Sequence, residues 1–425
     1  MSAFDLAAVF MVLVAVIGWL NTRFLNLPTG VAMLLVGLAG AALAHGLELA
    51  LPGFAPSKFA ACLVGKVNFS QTVVGYMLAF LLFAGSMQVD LGEMRRRLAP
   101  IFLLSTVGVL ASTIIVGLGA FLLARLLHLA LPLPWAFVFG ALISPTDPVA
   151  VLAIVRQGKL AKSLQAILQG EALFNDGVGI VIFLAALAFA VGSGAPTPVS
   201  TLTAVTIQAV GGLALGAAGG FAVVWAMRAI DDYAVEVAIS IALAAGVYAS
   251  GQALHVSGAI AAVAAGLIVG DHGVRSAMSD TTRRYVQGFW ALVDEILNAL
   301  LFLLLGLMML LLPFDVRYAG LWLAVIPLVL IARLLTVLPW GASFHFLHGQ
   351  RGASLVLTWG GLRGALSLAL ALAVPEGPAR PVILSLTYAV VVFAVVVQGL
   401  TFGPLVSALR ERLETEASPV SDPAV

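Results

Sequence analysis

Residues Ile143–Val151 read ISPTDPVAV, inside an otherwise apolar run, PWAFVFGALISPTDPVAVLAIVR, that begins at Pro134. A membrane-spanning helix takes about 20 apolar residues, so the run is long enough to cross a bilayer. Yet Pro145 and Pro148 each lack a backbone donor and clash with the preceding turn. Asp147, between them, costs about 2.5–3.5 kcal/mol at the centre of a membrane helix on insertion scales. Such a break is tolerable in lipid only where the freed carbonyls and amides line a protein-walled cavity or bind an ion. The stretch therefore predicts an unwound membrane helix with a functional centre at Asp147.

Composition agrees. Of 425 residues, 62% are hydrophobic and only 10% charged, where soluble domains carry about 25% charged residues. Apolar runs of about 20 residues separated by short polar breaks predict an all-α polytopic membrane protein rather than the alternating strands of an outer-membrane barrel. The net charge of +1 comes with no basic stripe and interleaved aromatics, so no nucleic-acid partner is expected. A single cysteine, Cys62, excludes an internal disulfide and a cysteine-based metal cage. The start, MSAFDLAAVF, has no basic n-region, so no cleaved signal peptide is expected. Residues 411–425, ERLETEASPVSDPAV, read as a short disordered tail.

Thirteen spans are predicted, at about 4–21, 28–47, 73–90, 100–125, 134–156, 164–191, 200–227, 233–252, 256–270, 287–312, 318–342, 352–375 and 381–408. Fourteen Lys and Arg residues then fall in loops on the side of the C-terminus and five on the other; Arg333 and Arg363 lie inside spans. By the positive-inside rule the C-terminus is cytoplasmic and, with an odd count, the N-terminus outside. Thirteen divides as six, a linker and six. The seventh span, with its GGLALGAAGG stretch, would join two halves of opposite orientation. The fifth span then corresponds to the twelfth, which contains TWGGLRGALSLAL, with Gly360, Gly361 and Gly364 around Arg363. Interrupted helices at matching places in two halves are the sequence sign of an inverted-repeat transporter with its site at the midplane.

Few ionisable groups lie deep in the spans, and each is a functional candidate. GEALFNDGVGI, from Gly170, places Glu171 and Asn175 on one helix face and turns Asp176 about 100° away. Glu171 needs a buried partner, for which Arg363 is the expected cation, while Asp176 would face a cavity beside Asp147. Glu236 and the pair Asp294–Glu295 fall near predicted cytoplasmic ends and read as solvated; Arg333 reads as a snorkelling or paired residue. His45, His128, His255, His272, His345 and His348 show no metal-binding spacing.

ISPTDPVAV, GEALFNDG, FWALVDEILNALLFLLLGL and WGGLRGALSLALAL together resemble the first cation–proton antiporter family, the bacterial NhaP-type and animal NHE-type Na⁺/H⁺ exchangers. The resemblance covers nearly the whole membrane region. It implies an NhaA-like antiporter fold of two inverted six-helix repeats with crossed unwound helices, filling residues 1–410. Scaffold and dimer helices would lie at about 4–90 and 233–312, the moving core at about 100–191 and 318–408, and the linker helix at about 200–227. It implies that Thr146, Asp147 and Asp176 hold the cation and that Asn175 stands where electrogenic relatives carry a second aspartate. Glu171 and Arg363 would be a structural ion pair, with Pro145, Pro148, Gly361 and Gly364 at the helix breaks. Two departures concern selectivity: Ala172 replaces a serine common in relatives, and Ala84 replaces a glutamate of the third helix.

The expected activity is exchange of Na⁺ or Li⁺ for H⁺ by a homodimer in a bacterial-type inner (plasma) membrane, electroneutral and without a cofactor. A hard monovalent cation wants oxygens, which Asp147, Asp176 and unwound carbonyls supply. No Walker A motif is present, so an ion gradient is the expected driving force. K⁺/H⁺ exchange is the alternative within the class; a passive channel and an intramembrane hydrolase using Ser257 are the alternatives outside it.

Overall fold

The computed structural model describes residues 3–50, 58, 77–147, 160, 162–192, 198–311, 316–343 and 352–414. Within them the chain is helical throughout, with a single isolated β-bridge. The helices are α1 Ala3–Leu20, α2 Thr29–Ala50, α3 Leu78–Met87, α4 Leu98–Leu126, α5 Leu133–Ile143, α6 Lys162–Val191 and α7 Pro198–Met227. They continue with α8 Tyr233–Ala253, α9 Gly258–Ser276, α10 Asp280–Leu307, α11 Ala319–Ser343, α12 Ala353–Trp359, α13 Ala365–Leu372 and α14 Arg380–Leu409. Ten of these regions are long and apolar enough to cross a membrane. The expected third, fifth and twelfth spans appear as shorter pieces: α3, α5 and the broken pair α12–α13. The later part of the fifth span, with Pro148, lies outside the described residues.

Side chains that would be a liability in water cover the outside. Leu323, Trp225 and Phe102 are more than 60% exposed, as suits a surface solvated by acyl chains. Helix starts are fixed by short polar residues that satisfy first-turn amides. The Asp232 carboxylate accepts from Ala234 and Val235 N–H at the start of α8, and the Ser257 and Ser279 hydroxyls cap α9 and α10.

The Ser279 cap changes one expectation. It starts α10 at Asp280 rather than near 287, and the helix runs 28 residues, about 42 Å at 1.5 Å per residue. The hydrocarbon core is only about 30 Å thick. The polar first turns therefore project toward the headgroups, and Asp294, fourteen residues past Asp280, sits at mid-helix.

Two apolar clusters meet along α10. Ala299, Phe302 and Leu305 belong to the one built with α2, α5, α11 and α14; Val286 and Trp290 belong to the one built with α3, α8 and α9. Against α2 the approach is backbone to backbone, since a Cβ on Gly306 would lie 2.9 Å from Gly37 Cα. Small residues permit such contact where no aqueous hydrophobic effect drives helices together. Trp290 fills the other end. It lies tilted against Phe83, with centroids 4.6 Å apart, and donates its indole N–H to Ser240 Oγ at 2.9 Å.

Candidate cation site

Helix α5 ends where proline chemistry demands. The Ser144 N–H and hydroxyl both donate back to Gly140 O, at 3.1 and 2.7 Å, and Pro145 then has no N–H to extend the ladder. Thr146 and Asp147 leave the helix, and Asp147 N–H donates to Leu362 O at 2.9 Å. Leu362 lies in the gap between α12 and α13, so the two breaks cross and pair as the isolated antiparallel bridge. Gly364 makes the crossing possible, because any Cβ there would overlap the Asp147 carboxylate.

Each interrupted helix leaves carbonyls without intrahelical donors, at the negative end of its dipole. A buried arginine answers each. Arg363 Nη1 donates to Ser144 O at 2.6 Å and Pro145 O at 2.9 Å, closing the end of α5. Arg333, on α11, donates through Nε and Nη2 to Leu357 O near the end of α12, at 3.2 and 3.1 Å. Gln398 Nε2 adds a bond to Trp359 O at 3.0 Å.

This corrects the expected ion pair. Glu171 binds Arg333, not Arg363: Nη2 donates to Oε2 at 2.8 Å and Nη1 to Oε1. The acid is 1% exposed and the arginine 5%. Arg363 is occupied across the crossing, whereas Arg333, midway along α11, is too deep to snorkel and reaches both Glu171 and the α12 carbonyl. Gly361 lies directly against the Arg333 guanidinium. Depth within the eleventh span was the available signal for Arg333.

Above this charged layer is a cavity of about 90 Å³. Pro145, Thr146 and Asp147 form one part of its wall, Ala172, Leu173 and Asp176 another, and Gly364, Leu366 and Ser367 a third. The rest of the wall comes from α3 (Leu78, Leu81, Leu82, Gly85) and α10 (Asp294, Asn298, Leu301). The structure thus brings Thr146, Asp147 and Asp176 to one cavity. Asn175 stands behind it, fully buried, and its Nδ2 donates to Thr146 Oγ1 at 2.7 Å. That bond holds the unwound segment against α6. Among the described residues, no three His, Cys, Asp or Glu side chains are grouped to hold a metal ion.

Sequence reasoning missed Asp294, Asn298 and Ser367. Asp294 was expected to be solvated, but it is 6% exposed and lines the cavity, and Asn298 Nδ2 donates to its Oδ1 at 2.9 Å. Its partner in the sequence, Glu295, faces outward and accepts from Thr29 Oγ1 at 3.3 Å. Spacing gave the missing signal: Val286, Trp290, Asp294 and Asn298 recur every four residues on the packed face. Ala172 and Ala84 are both buried, and Ala172, like Ser367, lines the cavity.

The chain is similar to known proteins along nearly its whole length. The family described as "Sodium/hydrogen exchanger, transmembrane" matches residues 11–408. The Na(+)/H(+) antiporter NhaP of Pseudomonas aeruginosa is 43% identical over 411 residues, covering 95% of this chain and 96% of that protein. The Na(+)/H(+) antiporter NhaH of Halobacillus dabanensis is 34% identical over 355 residues, 80% of this chain and 84% of the relative. The solved sodium proton antiporter MjNhaP1 of Methanocaldococcus jannaschii shares the fold, with a TM-score of 0.74 at 20% identity over 99% of this chain and 100% of that one. The chain is a multi-pass membrane protein, a transporter rather than an enzyme, and it belongs to the sodium/hydrogen exchanger family, the first cation–proton antiporters.

Proposed function

We propose that the protein exchanges Na⁺, and also Li⁺, for H⁺, one for one, at a single site formed by Asp176, Asp147 and Thr146. The observation that carries this reading is the crossing of two broken helices at Asp147–Leu362, with both aspartates lining the adjoining cavity. Proton and cation are alternative ligands of Asp176, so loading one displaces the other.

Charge explains the coupling. The crossing holds three acids, Asp147, Asp176 and Glu171, against two arginines, Arg333 and Arg363. Fully ionised, it has one negative charge in excess, which one proton or one monovalent cation cancels. Spans 4–6 and 11–13 would move as a core against a dimeric scaffold when loaded, and an empty core would pay for dragging a bare charge through lipid. Asn175 contributes dipoles but no titratable charge, which supports an electroneutral cycle. The protein would sit in the plasma membrane with its N-terminus outside and its C-terminus in the cytoplasm. Relatives are named as Na(+)/H(+) antiporters, which favours Na⁺ over the K⁺/H⁺ alternative.

The experiment is cation-triggered alkalinisation in proteoliposomes with a trapped pH dye. The membrane potential is set by an ion the protein does not carry. An equilibrium fixed by the Na⁺ and H⁺ gradients alone is expected. One net charge per cycle would be worth about 2.3 kcal/mol per 100 mV, so a reversal point that follows the potential would refute the one-for-one cycle. A response to K⁺ but not Na⁺ would refute the cation assignment.

A further inference from the structure

A third carboxylate lines the cavity, on a different helix from the two site aspartates. Asp294 lies on α10, which packs against α2, α3 and α8, whereas Asp147 and Asp176 lie on the broken helix and α6. It is buried at the middle of a 28-residue helix, where an acid is retained for function rather than for packing. Asn298, one turn on, holds its Oδ1 by an amide N–H at 2.9 Å, the kind of donor that fixes an ionised carboxylate in one orientation. Two asparagines or two leucines would pack a helix face at less cost. Asp294 is also not grouped with Asp147 and Asp176 closely enough for the three to share an ion.

We propose that Asp294 is a fixed cation-recruiting group. It attracts an incoming monovalent cation into the cavity and holds it on the α10 part of the wall, from which Asp147 and Asp176 take it over. It sets how much Na⁺ is needed to load the site without exchanging a proton itself. The low dielectric of a buried cavity makes one added carboxylate an effective attractor, and focusing by charged walls raises local cation concentration. The inference rests on the exchange reading above, with Asp294 acting through the ion and never replacing a site ligand.

The test uses the full chain in proteoliposomes with a trapped pH dye, and in detergent by calorimetric titration with NaCl. Asp294→Asn is expected to raise the half-saturating Na⁺ concentration about three- to tenfold. The maximal rate should stay within about twofold, the pattern of lost uniform binding. The dissociation constant for Na⁺ should rise by the same factor, the pH profile at saturating Na⁺ should not move, and Asp294→Glu should restore the wild-type values. Unchanged half-saturation in Asp294→Asn would overturn the proposal. So would a lower maximal rate or melting temperature with an unchanged Na⁺ dissociation constant, since that is what a packing role predicts. If Asp294→Asn is not recovered folded, Asn298→Ala keeps the carboxylate but loosens it. A smaller rise in half-saturation is then expected, and the wild-type value would overturn the idea. A wild-type protein that binds Na⁺ but exchanges nothing would sink the exchange reading itself.

Discussion

Arg333→Met is the most discriminating single change, because it removes two functions at once. The guanidinium forks the Glu171 carboxylate and donates twice to Leu357 O, all with little or no solvent access. Stranding a buried charge costs about 3–5 kcal/mol and orphaning a buried acceptor about 1–3 more, so roughly 4–8 kcal/mol is at stake. Adding Glu171→Leu removes the stranded charge and leaves only the unmet carbonyl. The double variant should therefore lose about 1–3 kcal/mol, less than Arg333→Met alone. Glu171→Leu combined with Arg363→Met should behave differently. It should be at least as damaging as the worse of its single changes, because Arg363 serves the Ser144 and Pro145 carbonyls rather than Glu171. Thermal unfolding of detergent-purified variants, compared as midpoints at one scan rate because such unfolding is often irreversible, ranks all five proteins. Rescue of Arg363→Met by Glu171→Leu, with none for Arg333→Met, would refute the pairing.

Asp147→Asn and Asp176→Asn should each abolish exchange by the purified protein, with melting temperatures at or above wild type; wild-type exchange in either would remove the shared-carboxylate site. Gly364→Ala should insert into membranes but lose most exchange, because its Cβ would displace the Asp147 carboxylate, and a Na⁺ dissociation constant equal to wild type would contradict this. Ser367→Ala should raise half-saturating Na⁺ in the pH-dye assay, and Ala172→Ser, which adds a hydroxyl to the same cavity, should lower it; no response to either would show that these positions do not face the ion.

The parts of this architecture visible in the sequence are those where chemistry conflicts with lipid. Pro145, Asp147, Gly361 and Gly364 stand out because no unbroken membrane helix has a use for them, and Asp176 because its direction differs from that of Glu171. What could not be read was which buried groups meet. Arg333 and Arg363 are thirty residues apart and equally suited to Glu171 on charge. Only the crossing decides, by setting Arg363 against the end of α5. Asp294 was misplaced for a different reason. The polar turn DTTRRYV looks like a loop in hydropathy terms, yet the Ser279 cap makes it helix and puts the acid at mid-helix rather than near an end.

On the proposed reading, the two arginines account for how a broken helix pair serves a cation rather than an anion. A half-helix ends in free carbonyls and a negative dipole, and two such ends converge here with three acids close by. Without compensation the accumulated negative charge would hold a cation too firmly to release it. Arg363 and Arg333 each quench one carbonyl end, and Arg333 quenches Glu171 as well. The acids of the crossing, Asp147, Asp176 and Glu171, outnumber its two arginines by one, and Asp294 of α10 lines the same cavity without belonging to the crossing. A site with that single excess can bind one monovalent cation or one proton and then let it go. On the proposed cycle, the structural pairs of the crossing are what make the exchange one for one.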